Sequence, residues 1–222
     1  MNDDLPLGEW GDPSCSALIL VDVQNDFCHP EGGLGQRGVD MGPIQEMLQR
    51  LMRLMEEARG NGAHVISLWT SHWPERTWPA YHRMERFKFS LADPGSEYTP
   101  LVAEGTWGAD ICEGFEPQPG EILIKKNRYG GFTGTNLDLA LRSLGVKTLI
   151  LTGVATNVCV ESTAREGFML DYNVVLVEDA CGATSPEEHE ATLLTFRKYF
   201  GRVARVDEVV AAWTARGATA KT

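Results

Sequence analysis

The chain has 222 residues, is 43% hydrophobic and 23% charged, and carries a formal net charge of −11 at pH 7. That length suits one large α/β domain or two small ones and is ample for a buried core. An acidic balance with no offsetting basic cluster argues against nucleic acid as a partner, and no apolar run approaches the roughly 18 residues that span a membrane.

The opening stretch MNDDLPLGEWGDPS has no apolar core and does not read as a signal peptide. Residues 1–16 are expected to form a loose lead-in. Ala17–Val23, ALILVDV, is the first predicted strand, apolar as expected when both sheet faces are covered. Asp22, Gln24, Asn25 and Asp26 follow at its end, and polar groups there lie on the carboxyl edge where α/β proteins bind ligands. His29–Gly38 is glycine-rich, but it lacks the spacings of a phosphate cradle and is expected to be loop.

Pro43 opens a helix whose Ile44, Met47, Leu48, Leu51, Leu54, Met55 and Ala58 make one apolar stripe, ended by Gly60 and Gly62. His64–Thr70 is the second strand. Ser71–Gln118, rich in Trp, Pro, Arg and Glu, has no sustained period and predicts a long excursion with short helical pieces on the ligand side. Glu121–Lys125 is the third strand, with Lys126 at its end. Asn136–Leu144 is helical and stops at Gly145.

Thr148–Leu151 is the fourth strand, broken by Gly153. Thr156 or Asn157 offers an N-cap to a helix over Val158–Leu170, which puts Cys159 in a first helical turn. Unpaired N–H groups and the helix dipole there favour an anion, so the thiol is expected to ionise more readily than a free one. Read alone, Cys159 is either such a nucleophile or a small buried packing residue. The fifth strand, Asn173–Val177, leads to Glu178 and Asp179. Pro186–Phe200 is helical, Arg202–Val206 is a sixth strand, Asp207 caps a helix over Glu208–Ala215, and the tail 216–222 frays.

This alternation predicts a three-layer α/β/α, Rossmann-like fold, with about six mostly parallel strands in a single domain over residues 1–222. The five cysteines, Cys15, Cys28, Cys112, Cys159 and Cys181, form no CxxC pair. An odd, scattered set predicts reduced thiols in the cytoplasm and no structural zinc site.

Asp22, Lys126 and Cys159 all fall at strand ends, which share one edge of a parallel sheet. The ammonium favours thiolate and carboxylate by charge, and the carboxylate can take the thiol proton and later return it to a leaving nitrogen. Each also has a plain reading: Asp22 as a turn residue, Lys126 as half of a solvated pair with Lys125.

Leu20–Phe27 (LVDVQNDF), Lys126–Asp138 (KNRYGGFTGTNLD) and Gly153–Gly167 (GVATNVCVESTAREG) together resemble the isochorismatase-like cysteine hydrolase superfamily. The resemblance covers about residues 17–207. It implies a catalytic Asp22, Lys126 and Cys159, a non-proline cis peptide between Val154 and Ala155, and an oxyanion hole from the Ala155 and Cys159 N–H groups. Relatives of this kind imply a homodimer or homotetramer, and no cofactor is expected.

Trp73, Gly105–Ile111 and Arg128–Phe132 are most similar to the ureidoacrylate amidohydrolase, N-carbamoyl amidase and biuret hydrolase branch. That similarity implies a small ureido, carbamoyl or amide substrate bound near Phe27, Trp73, Arg128 and Tyr129. Nicotinamidases of the superfamily carry a D-x-H metal motif after the second strand. The aspartate is absent here, leaving His72 and His82, so no catalytic metal is expected. A nicotinamidase-type amidase and a non-catalytic binding or assembly module stand as alternatives.

Overall fold

The computed structural model describes residues 12–72, 83–84 and 100–219. Within them six strands form one sheet in the order β3-β2-β1-β4-β5-β6, every adjacent pair parallel. The strands are β1 Ser16–Val21, β2 His64–Thr70, β3 Ile122–Lys126, β4 Thr148–Val154, β5 Asn173–Gly182 and β6 Arg202–Ala204. The longer helices are α1 Gly42–Asn61, α2 Leu137–Ser143, α3 Glu161–Met169, α4 Pro186–Tyr199 and α5 Val206–Thr219.

Alternation along each strand builds two cores. Leu18, Leu20, Ile150 and Val175 point to one face, where α1 and α5 lay down Leu51, Leu54, Met55 and Trp213. Ala17, Ile19, Val21, Leu149 and Leu151 point to the other, against Leu141 of α2, Ala164 of α3 and Phe196 of α4. Each fully buried large aliphatic side chain stabilises by about 1.5–3 kcal/mol relative to exposure. The expected three layers are therefore present.

Several local expectations are corrected. The lead-in is not wholly loose: Pro13–Cys15 form a single turn whose start is capped by Asp12, which accepts from Ser14 N–H at 3.0 Å. The polar run after β1 winds into a helical turn, Asn25–Cys28, and the glycine-rich loop contains another, Gly33–Gln36. One expectation of the long excursion does hold, since Trp107–Ala109 is a short helical piece within it. Trp73 and His82 lie outside the described residues. β5 continues through Glu178 and Asp179 to Gly182, because Ala180 and Cys181 carry its buried face onward. The last helix starts at Val206, with Arg205 N–H held by Glu208 at 2.7 Å, so Asp207 is inside the first turn and not its cap.

Gly153 does not end β4. It is a member of it with φ 100°, and a Cβ there would lie 2.1 Å from the Val21 carbonyl oxygen. Only glycine lets β4 approach β1 this closely just below Asp22.

Candidate active site

β1 and β4 are neighbours in the centre of the sheet, while their chain continuations leave towards opposite flanks. The carboxyl ends of such a pair form the crevice in which open α/β sheets bind ligands. Asp22 follows β1 directly and takes a left-handed backbone, φ 53°, which non-glycine residues seldom adopt and which concentrates at functional positions. Its side chain has no exposed surface, nor does that of Lys126, and Lys126 Nζ donates to Asp22 Oδ2 at 2.8 Å. Strand alternation decides which lysine of the pair turns inward. Lys125 faces out, ion-paired to Glu104 at 2.9 Å, while Lys126 closes the site.

Cys159 enters from the turn after β4. The expected first α-helical turn is instead a wider π-turn over Thr156–Val160 that leads into α3. Neither Thr156 nor Asn157 caps it. Ala155 occupies that position, its carbonyl accepting from Val158 N–H at 3.0 Å and Val160 N–H at 3.2 Å. The Thr156 hydroxyl is hydrogen-bonded to His189 Nδ1 of α4 at 2.9 Å. The Val154–Ala155 peptide bond is cis, as the resemblance implied.

Asp22 and Lys126 both bear on the buried Cys159 thiol. The expected readily ionised thiol is not what the protein holds. Burial pushes the Cys159 thiol up, Lys126 pulls it down, and Asp22 pushes it up again, so the thiol keeps its proton in the free enzyme. Burial works against the Lys126 charge, but Asp22 outweighs it and holds the ammonium above its ordinary range.

Sequence reasoning missed the residues that frame this trio. Thr70, the last residue of β2, donates its hydroxyl to Asp22 Oδ1 at 2.7 Å and accepts from Lys126 Nζ at 2.6 Å. Thr163 of α3 donates to the Cys159 carbonyl at 2.7 Å and accepts from Gly131 N–H at 3.0 Å. Glu166, one turn further on, takes Phe132 N–H at 2.9 Å and the Thr133 hydroxyl. The cysteine's helix thereby holds the loop that follows Lys126. The signal was present in the sequence, since Thr163 lies one helical turn after Cys159 on the same face.

Gln24, Asn25 and Asp26 clamp the excursion over the sheet edge. The Gln24 amide pairs with both backbone groups of Thr70 at 2.8 Å and donates to Ala109 O at 2.6 Å. Asn25 donates to Trp107 O at 2.9 Å, and Asp26 accepts from Gly33 and Val102 N–H.

Of the expected substrate contacts, Phe27 packs against Leu101, Val102 and Ala109, and Tyr129 leans on the second core. The Arg128 guanidinium donates to Asn127 O at 2.8 Å, while its own carbonyl accepts from Lys126 Nζ at 3.1 Å. His72 is buried, and its backbone joins that of Val102 and Glu104. No group of three or more His, Cys, Asp or Glu able to hold a metal ion occurs among the described residues.

The isochorismatase domain model matches residues 16–208, most of the chain. The chain belongs to the isochorismatase family. Ureidoacrylate amidohydrolase RutB of Methylobacterium radiotolerans is 37% identical over 208 residues, covering 88% of this chain and 78% of that protein. A cysteine hydrolase from Pseudomonas syringae pv. phaseolicola superposes with a TM-score of 0.78 at 27% identity, over 92% of this chain and 94% of its own. N-carbamoylsarcosine amidase from Thermoplasma acidophilum does so with a TM-score of 0.66 at 26% identity, over 86% and 96%.

This member of the isochorismatase family is accordingly an amidohydrolase, a hydrolase of non-peptide C–N bonds. No helix among its described residues is long and apolar enough to cross a membrane.

Proposed function

We propose that the protein cleaves a C–N bond of a small ureido or carbamoyl compound by covalent catalysis on Cys159. The observation that carries this is the fully buried Asp22–Lys126 ion pair set against the Cys159 sulfur at the β1/β4 crevice. The substrate class is drawn from the ureidoacrylate amidohydrolase relative.

A protonated thiol beside a carboxylate calls for a coupled first step. Cys159 Sγ attacks the carbonyl carbon while Asp22 takes the thiol proton, and the charge that develops on the carbonyl oxygen is met by the Ala155 and Cys159 N–H groups. Collapse breaks the C–N bond. The electron pair leaves with nitrogen, which receives the proton from Asp22 and departs as ammonia or an amine.

The acyl group remains on sulfur, as a thioester from an amide or an S-carbamoyl group from a ureide. Water then gives a proton to Asp22 and attacks the same carbon, releasing the acid and restoring the thiol. Lys126 keeps its proton throughout and balances the charge of carboxylate and sulfur. Phe27, Arg128 and Tyr129 are the proposed substrate contacts, and no metal takes part.

The test is ammonia release from a panel of ureides, carbamoyl compounds and primary amides, by the parent and by C159A, before and after chelation. The parent is expected to turn over a ureido or carbamoyl member, C159A to lose at least about a thousandfold, and chelation to change nothing. Release by C159A at the parent rate would sink the proposal.

A further inference from the structure

Lys126 Nζ has three hydrogens and no lone pair, so it can only donate. Its three neighbours at hydrogen-bonding distance are Asp22 Oδ2 at 2.8 Å, Thr70 Oγ1 at 2.6 Å and Arg128 O at 3.1 Å. Thr70 must therefore accept from the ammonium. Its single hydroxyl hydrogen is left for Asp22 Oδ1, 2.7 Å away. The direction of that bond is fixed by the chemistry of the three groups.

The backbone that carries the hydroxyl is fixed as well, since Gln24 engages both the N–H and the C=O of Thr70 at 2.8 Å. Thr70 is buried, and its branched side chain restricts rotation about χ1.

We propose that Thr70 is a positioning residue of this site. Its hydroxyl fixes the orientation of the Asp22 carboxylate and so decides which of its lone pairs face Cys159. The inference rests on the hydrolytic reading above and adds a fourth member to its machinery. A donor on a carboxylate favours the charged form over the acid. When Asp22 carries the proton taken from Cys159, the Thr70 bond weakens, and it regains its strength once the proton passes to the departing nitrogen. Thr70 thus counterbalances the intake of the proton and speeds its return.

The charged and titratable groups that bear on Asp22 are Lys126 from β3, Cys159 from the turn after β4, and Cys28 at the end of the Asn25–Cys28 turn. None of them can replace the hydroxyl. Lys126 is committed to three acceptors, and each thiol is a weak donor. A threonine that merely satisfied a buried strand end would affect stability and leave proton traffic alone.

The experiment compares T70V, which keeps the shape and removes the hydroxyl, with T70S, which keeps the hydroxyl. kcat and KM are measured against pH, and iodoacetamide labelling of the Cys159 peptide is followed by mass spectrometry over the same range. For T70V the acid limb of kcat/KM is expected to move up by about one pH unit. Its kcat falls about tenfold with KM within about twofold.

The midpoint of Cys159 labelling also moves up in T70V, because a carboxylate with one donor fewer holds the thiol proton more firmly. T70S restores the parent's acid limb and labelling midpoint. If T70V does not fold by circular dichroism, T70A is read in the same way. T70V profiles that superimpose on the parent's, or equal shifts in T70S, overturn the proposal. Should the parent hydrolyse no member of the panel, the hydrolytic reading fails on its own, and the labelling arm still decides the role of Thr70.

Discussion

Lys126 and Asp22 act on the Cys159 thiol in opposite senses, and burial sides with Asp22. The two variants that dissect the pair should therefore move the thiol in opposite directions. D22N removes a group that pushes the thiol up, so labelling of Cys159 begins at lower pH, although activity falls by about 10²–10⁴ with the loss of the base. K126M removes the one group that pulls it down, so labelling begins at higher pH. It also strands Asp22 as an unpaired buried charge, at about 3–5 kcal/mol of stability in urea titration. Shifts of the same sign in both variants would contradict this reading.

The residue types and their edge of the sheet were legible in the sequence, because Asp22, Lys126 and Cys159 each close a short apolar run. The raised thiol was not. Burial depends on what packs over the sulfur, and residues distant in sequence supply that cover. Thr70 was unreadable for a related reason: a threonine ending a β-prone run is ordinary until the lysine from β3 reaches it.

Among elements, long apolar runs fixed their own identity. β2 and α1 fall where the pattern puts them, and Gly62 ends α1 in a left-handed cap with φ 79°. The π-turn at Thr156–Val160 was not legible, because no local residue pattern separates it from an ordinary helix start. β3 is tied to α1 by Arg59, whose guanidinium makes two bonds to Glu121, at 2.7 and 3.0 Å. Burial disfavours the Glu121 charge, but Arg59 and the Gln118 N–H outweigh it and hold the carboxyl below its ordinary range.

A carboxyl lowered on folding stabilises the protein above its unfolded value of about 4.3 and ceases to do so as pH falls through the folded value. The stability gap between parent and E121Q should therefore be widest near neutrality and shrink as pH drops below about 4.3. Urea midpoints measured from pH 7 to pH 3 check this, and a gap that stays constant would exclude a charged Arg59–Glu121 tie.

For the whole molecule, the central adjacency of β1 and β4 creates the site. It brings a residue near position 20 to one near position 160, while β2 and β3 extend the edge so that Thr70 and Lys126 complete it. Strand and helix alternation made the layers predictable, but strand order is a property of packing that the run of elements does not state. The excursion after β2 resisted reading because its sequence has no sustained period. Gln24, Asn25 and Asp26 hold its described part in place by hydrogen bonds to backbone, which leave no period in the sequence.

The proposed mechanism carries the acyl group on one sulfur between two chemical steps. The most direct measurement is the intact mass of enzyme quenched in acid during turnover of a ureido or carbamoyl substrate, with the modified peptide mapped. An acyl or carbamoyl adduct on Cys159 in the parent, and none in C159A, is the predicted result. Turnover at full rate by C159A, or an adduct that maps elsewhere in the parent, would contradict it.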